Sequence, residues 1–252
     1  MCTIAMFLNP SGHLILAGNR DEMRTRKRAL PPTSPETLGD TTALFPTDAD
    51  AGGTWIGVNA HGITMTLLNN YQQDARFTPS GDPVSRGLLV KALLGHTSLA
   101  AIEDHLRSWP LANTRPFILA AGILDAPHQA RAIVATWSGE ALEVETRALP
   151  ILLISSSVEL ERAVEARSQA LAPLIGDSPP RTFEDTIALF SQHAPEPGPF
   201  TVSMSREDAQ SVSHTWIGVD PEANLARMHY LDGPPHQNPA RHEAELALEP
   251  SR

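Results

Sequence analysis

The chain has 252 residues, 41% of them hydrophobic, so a single large domain can bury a sizeable core. Its formal net charge of -10 and its pI of about 5.4 argue against nucleic acid as a partner, because an acidic surface repels phosphate. The single cysteine excludes an internal disulfide and a zinc site built on cysteines. No apolar stretch approaches the roughly 18 residues of a membrane span, and residues 1–8 lack the basic start of a signal peptide, so we expect a cytoplasmic protein.

The beginning of the chain predicts a β-hairpin followed by a long irregular segment. Residues 3–8 and 13–17 alternate as strands do, with a turn at Asn9-Pro-Ser-Gly12, and the second strand runs into Gly18-Asn-Arg-Asp-Glu22. Residues 23–52 then show no period and contain several prolines. Long structureless segments in compact domains are often functional loops, so we expect a mobile lid beside the end of the hairpin.

The rest of the chain groups its strands and helices. Strand patterns occupy residues 54–59, 63–68, 116–124, 131–137, 141–146, 151–155, 212–219 and 225–230. Helical patterns occupy residues 83–94, 99–109, 159–174 and 183–192, with Asp82 and Ser98 as the N-caps of the first two. Short strand-to-strand links make antiparallel sheets, and grouped helices cover the outer faces of those sheets. The order therefore predicts an α+β fold, a four-layer αββα sandwich of two antiparallel sheets. We expect one domain over residues 1–235 and a flexible tail over residues 236–252, which are polar and contain proline.

One short motif occurs twice. Thr54-Trp-Ile-Gly-Val-Asn59 returns as Thr215-Trp-Ile-Gly-Val-Asp220, and each copy leads through a turn into another strand. The large separation of the copies does not fit a solenoid repeat. The motif instead predicts two similar hairpins, in two sheets that face each other.

Cys2 is the first candidate for chemistry. A small second residue favours removal of the initiating Met1, which would give Cys2 a free α-amine with an ordinary pKa of about 8, near enough to neutrality to accept the thiol proton. A thiol is also the strongest nucleophile among the usual side chains at neutral pH. One residue would then supply both the nucleophile and the base. The alternative is that Cys2 packs as a small apolar residue.

The polar segment Asn19-Arg-Asp-Glu22 ends the strand that pairs with the Cys2 strand, so the hairpin places it opposite Cys2. We expect Arg20 to lower the pKa of the Cys2 thiol by its charge and Asp21 to orient the α-amine as a hydrogen-bond acceptor. The alternative is a solvated hairpin end.

These residues carry a family resemblance. Met1-Cys-Thr with Gly18-Asn-Arg-Asp-Glu22, and Gly52-Gly-Thr-Trp-Ile-Gly-Val-Asn59 with Leu68-Asn-Asn70, resemble the NRDE family, also called the transport and Golgi organization protein 2 family. The family shares its fold with the N-terminal-nucleophile (Ntn) hydrolases, among them bile-salt hydrolases and penicillin V acylases. The resemblance implies that Cys2 is nucleophile and base, that Arg20 and Asp21 flank it, and that Asn70 belongs to an oxyanion hole, where losing one donor costs about 100-fold or more in rate.

Further residues are expected near this site. Asn19, Trp55, Asn69 and His61 are candidates for substrate binding; Trp55 can also be read as a core residue. Relatives carry an Asn after the strand at residues 151–155, where this chain has Ser155-Ser-Ser157. Either Arg206 or Arg227 can match an arginine of the family. No histidine pair has metal-ligand spacing, so we expect no metal and no cofactor.

Two functions follow from this pattern. The first is hydrolysis or transfer of an acyl group from an amide, ester or thioester through a Cys2 acyl-enzyme, with a small-molecule acyl substrate as partner. The second is a non-catalytic carrier or chaperone on the same fold, since the resemblance to family members tied to haem and acyl-lipid handling implies such ligands. The sequence leaves the acyl group and the oligomeric state open.

Overall fold

The computed structural model describes residues 2–126, 128–176 and 179–249. Its strands are β1 (Cys2–Leu8), β2 (Leu14–Met23), β3 (Glu36–Leu38), β4 (Thr41–Leu44), β5 (Ile56–Asn59), β6 (Thr64–Asn69), β7 (Phe117–Ala126), β8 (Gln129–Trp137), β9 (Leu142–Arg147), β10 (Ile151–Ser155), β11 (Ala209–Asp220), β12 (Leu225–Leu231) and β13 (Arg241–Ala247). Its helices are α1 (Tyr71–Asp74), α2 (Arg86–Leu93), α3 (Leu99–Ser108), α4 (Leu160–Ala170), α5 (Ala172–Ile175) and α6 (Phe183–Phe190), with short 3₁₀ turns at Leu111–Asn113 and Pro235–Gln237.

The strands form two sheets in which every described pair of neighbours is antiparallel. The first sheet has the order β10-β1-β2-β11-β12-β13, and the second has the order β3-β4-β5-β6-β7-β8-β9. Strand β1 lies inside the first sheet, between β10 and β2. The first strand is therefore hydrogen-bonded to a neighbouring strand along both of its edges.

The two sheets pack face to face, and helices cover their outer faces. Ile4 and Met6 of β1 point between the sheets, into a core that they share with Val58 of β5 and Leu68 of β6. The intervening side chains of β1 point outward: Phe7, for example, packs against α5 and α6. The outer face of the second sheet packs against α2 and α3. The predicted αββα sandwich of two antiparallel sheets is confirmed.

The repeated motif has the predicted arrangement. Its first copy lies in β5 of the second sheet and its second copy in β11 of the first sheet, so the copies are in facing sheets. The two tryptophans have different environments. Trp55 packs against the core between the sheets, whereas Trp216 lies on the outer face of the first sheet, with its ring centroid 6.2 Å from that of Phe183.

Three expectations about local structure are wrong. Residues 23–52 are not structureless throughout, because β3 and β4 form there and β4 pairs with β5, which extends the second sheet. The tail predicted at residues 236–252 is not frayed over Arg241–Ala247, because β13 pairs along its whole length with β12. Helix α2 is capped by Ser85 and not by Asp82, because Val84 still forms an extended bridge with Thr114.

The expected cap of the next helix is confirmed. Helix α3 is capped by Ser98, whose hydroxyl accepts from the backbone N–H of Ala101. Within the part of the chain that the structure describes, no helix has both the length and the apolar character needed to cross a bilayer.

Candidate active site

Cys2 and Arg20 are direct partners in the antiparallel register of β1 and β2. On its other side Cys2 is opposite Ser155, the last residue of β10. The backbone nitrogen of Cys2 donates to Ser155 Oγ at 3.0 Å. The predicted placement of the polar hairpin end beside Cys2 is thus confirmed, and the strand pairing that fixes it leaves the Cys2 side chain 8% exposed.

The Cys2 side chain faces a cavity of about 390 Å³. The described lining residues come from β1, β2 and the turn after it, the 48–55 loop, β6, the segment before α2 and its first turn, and the segment before β7. They are Cys2, Arg20, Asp21, Glu22, Arg26, Asp48, Ala51, Thr54, Trp55, Leu67, Asn69, Pro83, Val84, Ser85, Arg86, Gly87 and Arg115. The lining therefore combines an apolar wall at Trp55, Leu67 and Pro83 with many charged side chains. Such a mixture fits a ligand with both an apolar and a polar part.

Arg20 is fixed at the wall of the cavity. Its Nη2 lies 2.6 Å from Oδ2 of Asp48 and 3.4 Å from Oε2 of Glu22. Its guanidinium carbon lies 4.2 Å from the centroid of the Trp55 ring, a cation–π contact. Burial raises the pKa of Asp48, but the charge of Arg20, the N–H of Ala51 and other contacts outweigh burial, and the pKa of Asp48 is lowered. Asp48 and Trp55 thus hold the guanidinium beside Cys2.

Burial raises the pKa of the Cys2 thiol. The positive charge of the N-terminus lowers it, and the Asp21 carboxylate raises it. The charge of Arg20 and a hydrogen bond from the Asp21 backbone also lower it, without reversing the net upward shift. Arg20 lowers the pKa of Cys2 as expected, but burial of the thiolate raises it by more, so the net pKa lies above its usual value. The thiol therefore keeps its proton at neutral pH.

The Asp21 side chain points to the outer face of the first sheet and forms its contacts there. Its Oδ2 lies 3.2 Å from Nη1 of Arg167 in α4, and both side chains are completely buried. Its Oδ1 accepts from the hydroxyl of Ser211 at 2.6 Å. Arg167 also donates to Oγ1 of Thr3 at 2.8 Å and to the carbonyl of Pro199 at 3.0 Å. Sequence reasoning missed Arg167; the available signal was an arginine four residues after Ala163, on the buried side of α4.

The two asparagines at the end of β6 differ in position. Asn69 lines the cavity, and its Nδ2 donates to the hydroxyl of Tyr71 at 2.9 Å. Burial raises the pKa of Tyr71 to about 12, so the phenol keeps its proton. Asn70, the expected oxyanion-hole residue, is absent from the described lining, and its backbone N–H donates to the carbonyl of Pro116 at 3.2 Å. Asn69 is the last residue of β6, whereas Asn70 follows the strand and precedes α1.

Two other candidate residues lie away from the cavity. Asn19 points to the outer face of the first sheet, where its Nδ2 donates to the carbonyls of Phe190 at 2.9 Å and Val202 at 3.0 Å. Because Asn19 precedes Arg20 on β2, it must face the opposite side. His61 lies in the turn between β5 and β6, with its Nε2 3.5 Å from Oε2 of Glu249. Neither is among the described residues that line the cavity.

The serines after β10 clarify the choice between the two late arginines. Arg206 Nη1 lies 3.4 Å from Oγ of Ser157, near the end of β10 and therefore near Cys2. Arg227 lies in β12, where its Nε is 2.9 Å from Oε1 of Glu245 at an exposed position. Of the two, Arg206 is the one that the fold brings toward the site.

The first turn of α2 forms another wall of the cavity. It reaches that position because Gly53 lets two backbones approach closely: a Cβ at Gly53 would lie 2.3 Å from the carbonyl carbon of Gly87. The backbone N–H of Thr54 donates to the carbonyl of Gly87 at 3.0 Å. This contact brings Arg86 to the cavity. Sequence reasoning did not identify Arg86 or the nearby Arg115.

Comparison with solved structures shows the fold. The chain is similar to a conjugated bile acid hydrolase from Clostridium perfringens (the C2A mutant), with a TM-score of 0.60, 10% identity, and coverage of 98% of this chain and 92% of that one. It is also similar to the N-acylethanolamine-hydrolyzing acid amidase ortholog of Caenorhabditis elegans, with a TM-score of 0.55, 12% identity, and coverage of 86% and 92%. At these identities the likeness concerns the Ntn-hydrolase fold alone.

A search of curated proteins finds no match to the sequence. The family model described as Transport and Golgi organisation 2 matches residues 1–194, which include β1, β2, the cavity lining and Arg167. The chain belongs to the Transport and Golgi organisation 2 family.

Proposed function

We propose that this protein is an N-terminal-cysteine hydrolase or acyltransferase that acts on an amide, ester or thioester through a Cys2 acyl-enzyme. The observation that carries the proposal is the position of Cys2, whose side chain faces the cavity while its nitrogen donates to Ser155 Oγ at 3.0 Å. After removal of Met1, the same serine would orient the free α-amine beside the thiol. Nucleophile and base then belong to one residue at the wall of one cavity.

In the first step the Cys2 sulfur forms a bond to the acyl carbon, and the thiol proton passes to the α-amine. The raised pKa of Cys2 makes this transfer necessary, because the thiol keeps its proton until it attacks. The amine then gives the proton to the leaving amine, alcohol or thiol as its bond to the acyl carbon breaks. In the second step water, or another nucleophile, attacks the thioester and releases the cysteine.

Two hydrogen-bond donors could stabilise the oxyanion of these steps. One is the Asn69 amide, which lines the cavity and uses one N–H for Tyr71. The other is the backbone N–H of Asp21, which already bonds to the sulfur of Cys2. Donors of this kind act best when they are fixed before the reaction. Strand pairing fixes Asp21, and the contact with Tyr71 fixes Asn69.

An uncleaved N-terminal extension tests the proposal. An added residue turns the α-amine into an amide that cannot accept a proton, so turnover of an acyl substrate should fall by the roughly 100-fold to 10,000-fold typical of lost acid–base catalysis. The matched control is the same extended protein after a protease has removed the extension and left Cys2 first. Its activity should return.

The same experiment distinguishes the carrier function. A carrier should bind its ligand equally well with the extension, with Cys2→Ser and with Cys2→Ala. If the extended protein turns substrate over at the rate of the processed protein, the amine is not the base. If no variant turns over any acyl substrate while all bind one, the carrier function is favoured.

A further inference from the structure

Four arginines line the cavity within the described residues, and three of them are paired with carboxylates. Arg20 contacts Asp48 and Glu22, and Arg26 contacts Glu22, Asp48 and Asp50. The Arg115 Nη1 lies 3.0 Å from Oδ1 of Asp74. Their charges are therefore already balanced by neighbouring side chains.

Arg86 differs from the other three. Its Nη1 donates to the backbone carbonyl of Pro116 at 2.9 Å, and it forms no ion pair with a carboxylate in the part of the chain that the structure describes. Arg86 is partly buried, and burial lowers its pKa, with the charges of Asp74 and Tyr71 opposing that shift. A guanidinium that is partly buried and has no direct ion pair is costly, and an anion in the cavity would reduce that cost.

The surroundings of Arg86 favour a negative charge as well. Arg86 is the first residue of α2, whose N-terminus carries partial positive charge, and the cap residue Ser85 and Gly87 line the same cavity. Arg115 lies near enough to Arg86 to lower its pKa by charge repulsion. Of the carboxylates in the described lining, Glu22 and Asp48 contact Arg20 and Arg26. Asp21 is paired with Arg167 on the opposite face of the first sheet, so none of the three is an ion-pair partner of Arg86.

We infer that Arg86 binds a carboxylate of the substrate, so that this protein acts on acyl compounds that carry a carboxylate away from the bond that Cys2 attacks. The inference rests on the proposed function, because it assigns a substrate class to the same cavity. A guanidinium presents its N–H groups as a planar fork that matches a carboxylate. The apolar wall at Trp55, Leu67 and Pro83 would contact the hydrocarbon part of such a compound.

Binding to the Cys2→Ala protein tests the inference without any chemistry. Calorimetry would compare two pairs of ligands, each an acid and its neutral amide. N-Hexanoylglycine and N-hexanoylglycinamide place the charge on the amine side of the amide bond, and the mono-ethylamide of adipic acid and its diamide place it on the acyl side. In at least one pair the acid should bind about 10-fold or more tightly than the amide, as expected for a hydrogen-bonded charge.

Arg86→Gln should reduce that preference to about 2-fold or less while leaving the affinity for the neutral amide unchanged, which also shows that the variant folds. Arg86→Lys should keep part of the preference, because it keeps the charge but loses the fork. Arg26→Gln is the matched control: it also removes an arginine from the cavity lining, but one whose charge is already paired, and the preference should survive.

Equal binding of acid and amide in both pairs would overturn the inference, and so would an acid preference that survives Arg86→Gln. These outcomes are separate from failure of the proposed function. A protein that turns over neutral and acidic acyl substrates equally is an enzyme without the carboxylate site. A protein that binds the acids through Arg86 and turns nothing over has the site without the reaction.

Discussion

Arg167 and Asp21 form an ion pair with Nη1 and Oδ2 3.2 Å apart and with both side chains fully excluded from solvent. The pair joins α4 to β2 on the side of the first sheet opposite the cavity. Arg167 also reaches Thr3, the residue after Cys2, at 2.8 Å. One buried side chain thus contacts both strands that carry the candidate site.

Arg167→Met should therefore be strongly destabilising. It leaves the Asp21 carboxylate buried without its counter-charge, and breaking a buried pair on one side typically costs about 3 to 5 kcal/mol. Urea unfolding followed by fluorescence measures the loss. The double variant Arg167→Met with Asp21→Asn is the control, because it removes both charges and should lose much less than the sum of the two single variants. A loss below about 1 kcal/mol for Arg167→Met would show that the pair does not hold the strands.

The raised pKa of Cys2 predicts the pH dependence of its alkylation. The rate of reaction with iodoacetamide should rise with pH to a midpoint above that of a cysteine in an unfolded peptide, because burial disfavours the thiolate. Asp21→Asn should move the midpoint down, since the carboxylate raises the pKa, and Arg20→Gln should move it up. Asp208→Asn, which removes an exposed carboxylate paired with Arg206, should leave it unchanged. A midpoint below that of the peptide would contradict the buried, protonated thiol.

Gly53→Ala tests the contact that brings α2 to the cavity. The new Cβ would meet the backbone of Gly87 at 2.3 Å, so α2 has to move. Overpacking of this kind costs roughly 1 to 3 kcal/mol, and the shift should also weaken binding of any ligand that needs Arg86. Gly198→Ala is the matched control, because a Cβ there meets nothing within 4 Å. Equal melting temperatures for the two variants would show that the close approach is not required.

His214 predicts a loss of stability in mild acid. Burial lowers the pKa of His214 to about 3, and its Nδ1 donates to Oδ1 of Asn19 at 2.8 Å. The folded protein keeps this histidine neutral, while the unfolded chain takes up a proton below pH 6.5. The contribution of His214 to the free energy of unfolding is therefore fully present above the pKa of the unfolded chain. It is lost progressively as the pH falls toward the pKa of the folded protein, and the loss is about 2 kcal/mol at pH 5. His214→Gln should flatten the pH dependence of urea unfolding between pH 7 and pH 5. A slope equal to that of the wild type would contradict a neutral buried His214.

The sequence predicted the layers and the position of Cys2 because both depend on local patterns. The alternation of apolar and polar residues and the short turns define the strands. Once the turn of the first hairpin is located, antiparallel pairing brings Arg20 opposite Cys2. The repeated motif likewise predicts two similar hairpins in facing sheets, and its copies contain β5 and the end of β11.

Other features depend on contacts that are distant in sequence. Arg167 meets Asp21 across 146 residues, and nothing near either residue indicates the other. Strand β13 forms because it pairs with β12 at the edge of the first sheet. The sequence of β13 is polar and by itself suggests a frayed end. Arg86 reaches the cavity because Gly53 has no side chain and lets α2 pack closely against it. This contact belongs to the three-dimensional packing and leaves no local pattern in the sequence. The pKa of Cys2 could not be predicted without knowing how deeply the thiol is buried.

The most direct test of the account is the intact mass of the protein during reaction with an acyl substrate, stopped by acid within the first turnovers. We expect a mature chain that begins at Cys2 and gains the mass of one acyl group. The adduct should be absent from Cys2→Ala and from the uncleaved N-terminal extension. Turnover by the Cys2→Ala protein at the wild-type rate, or the same adduct in that protein, would contradict the central claim that Cys2 is the nucleophile.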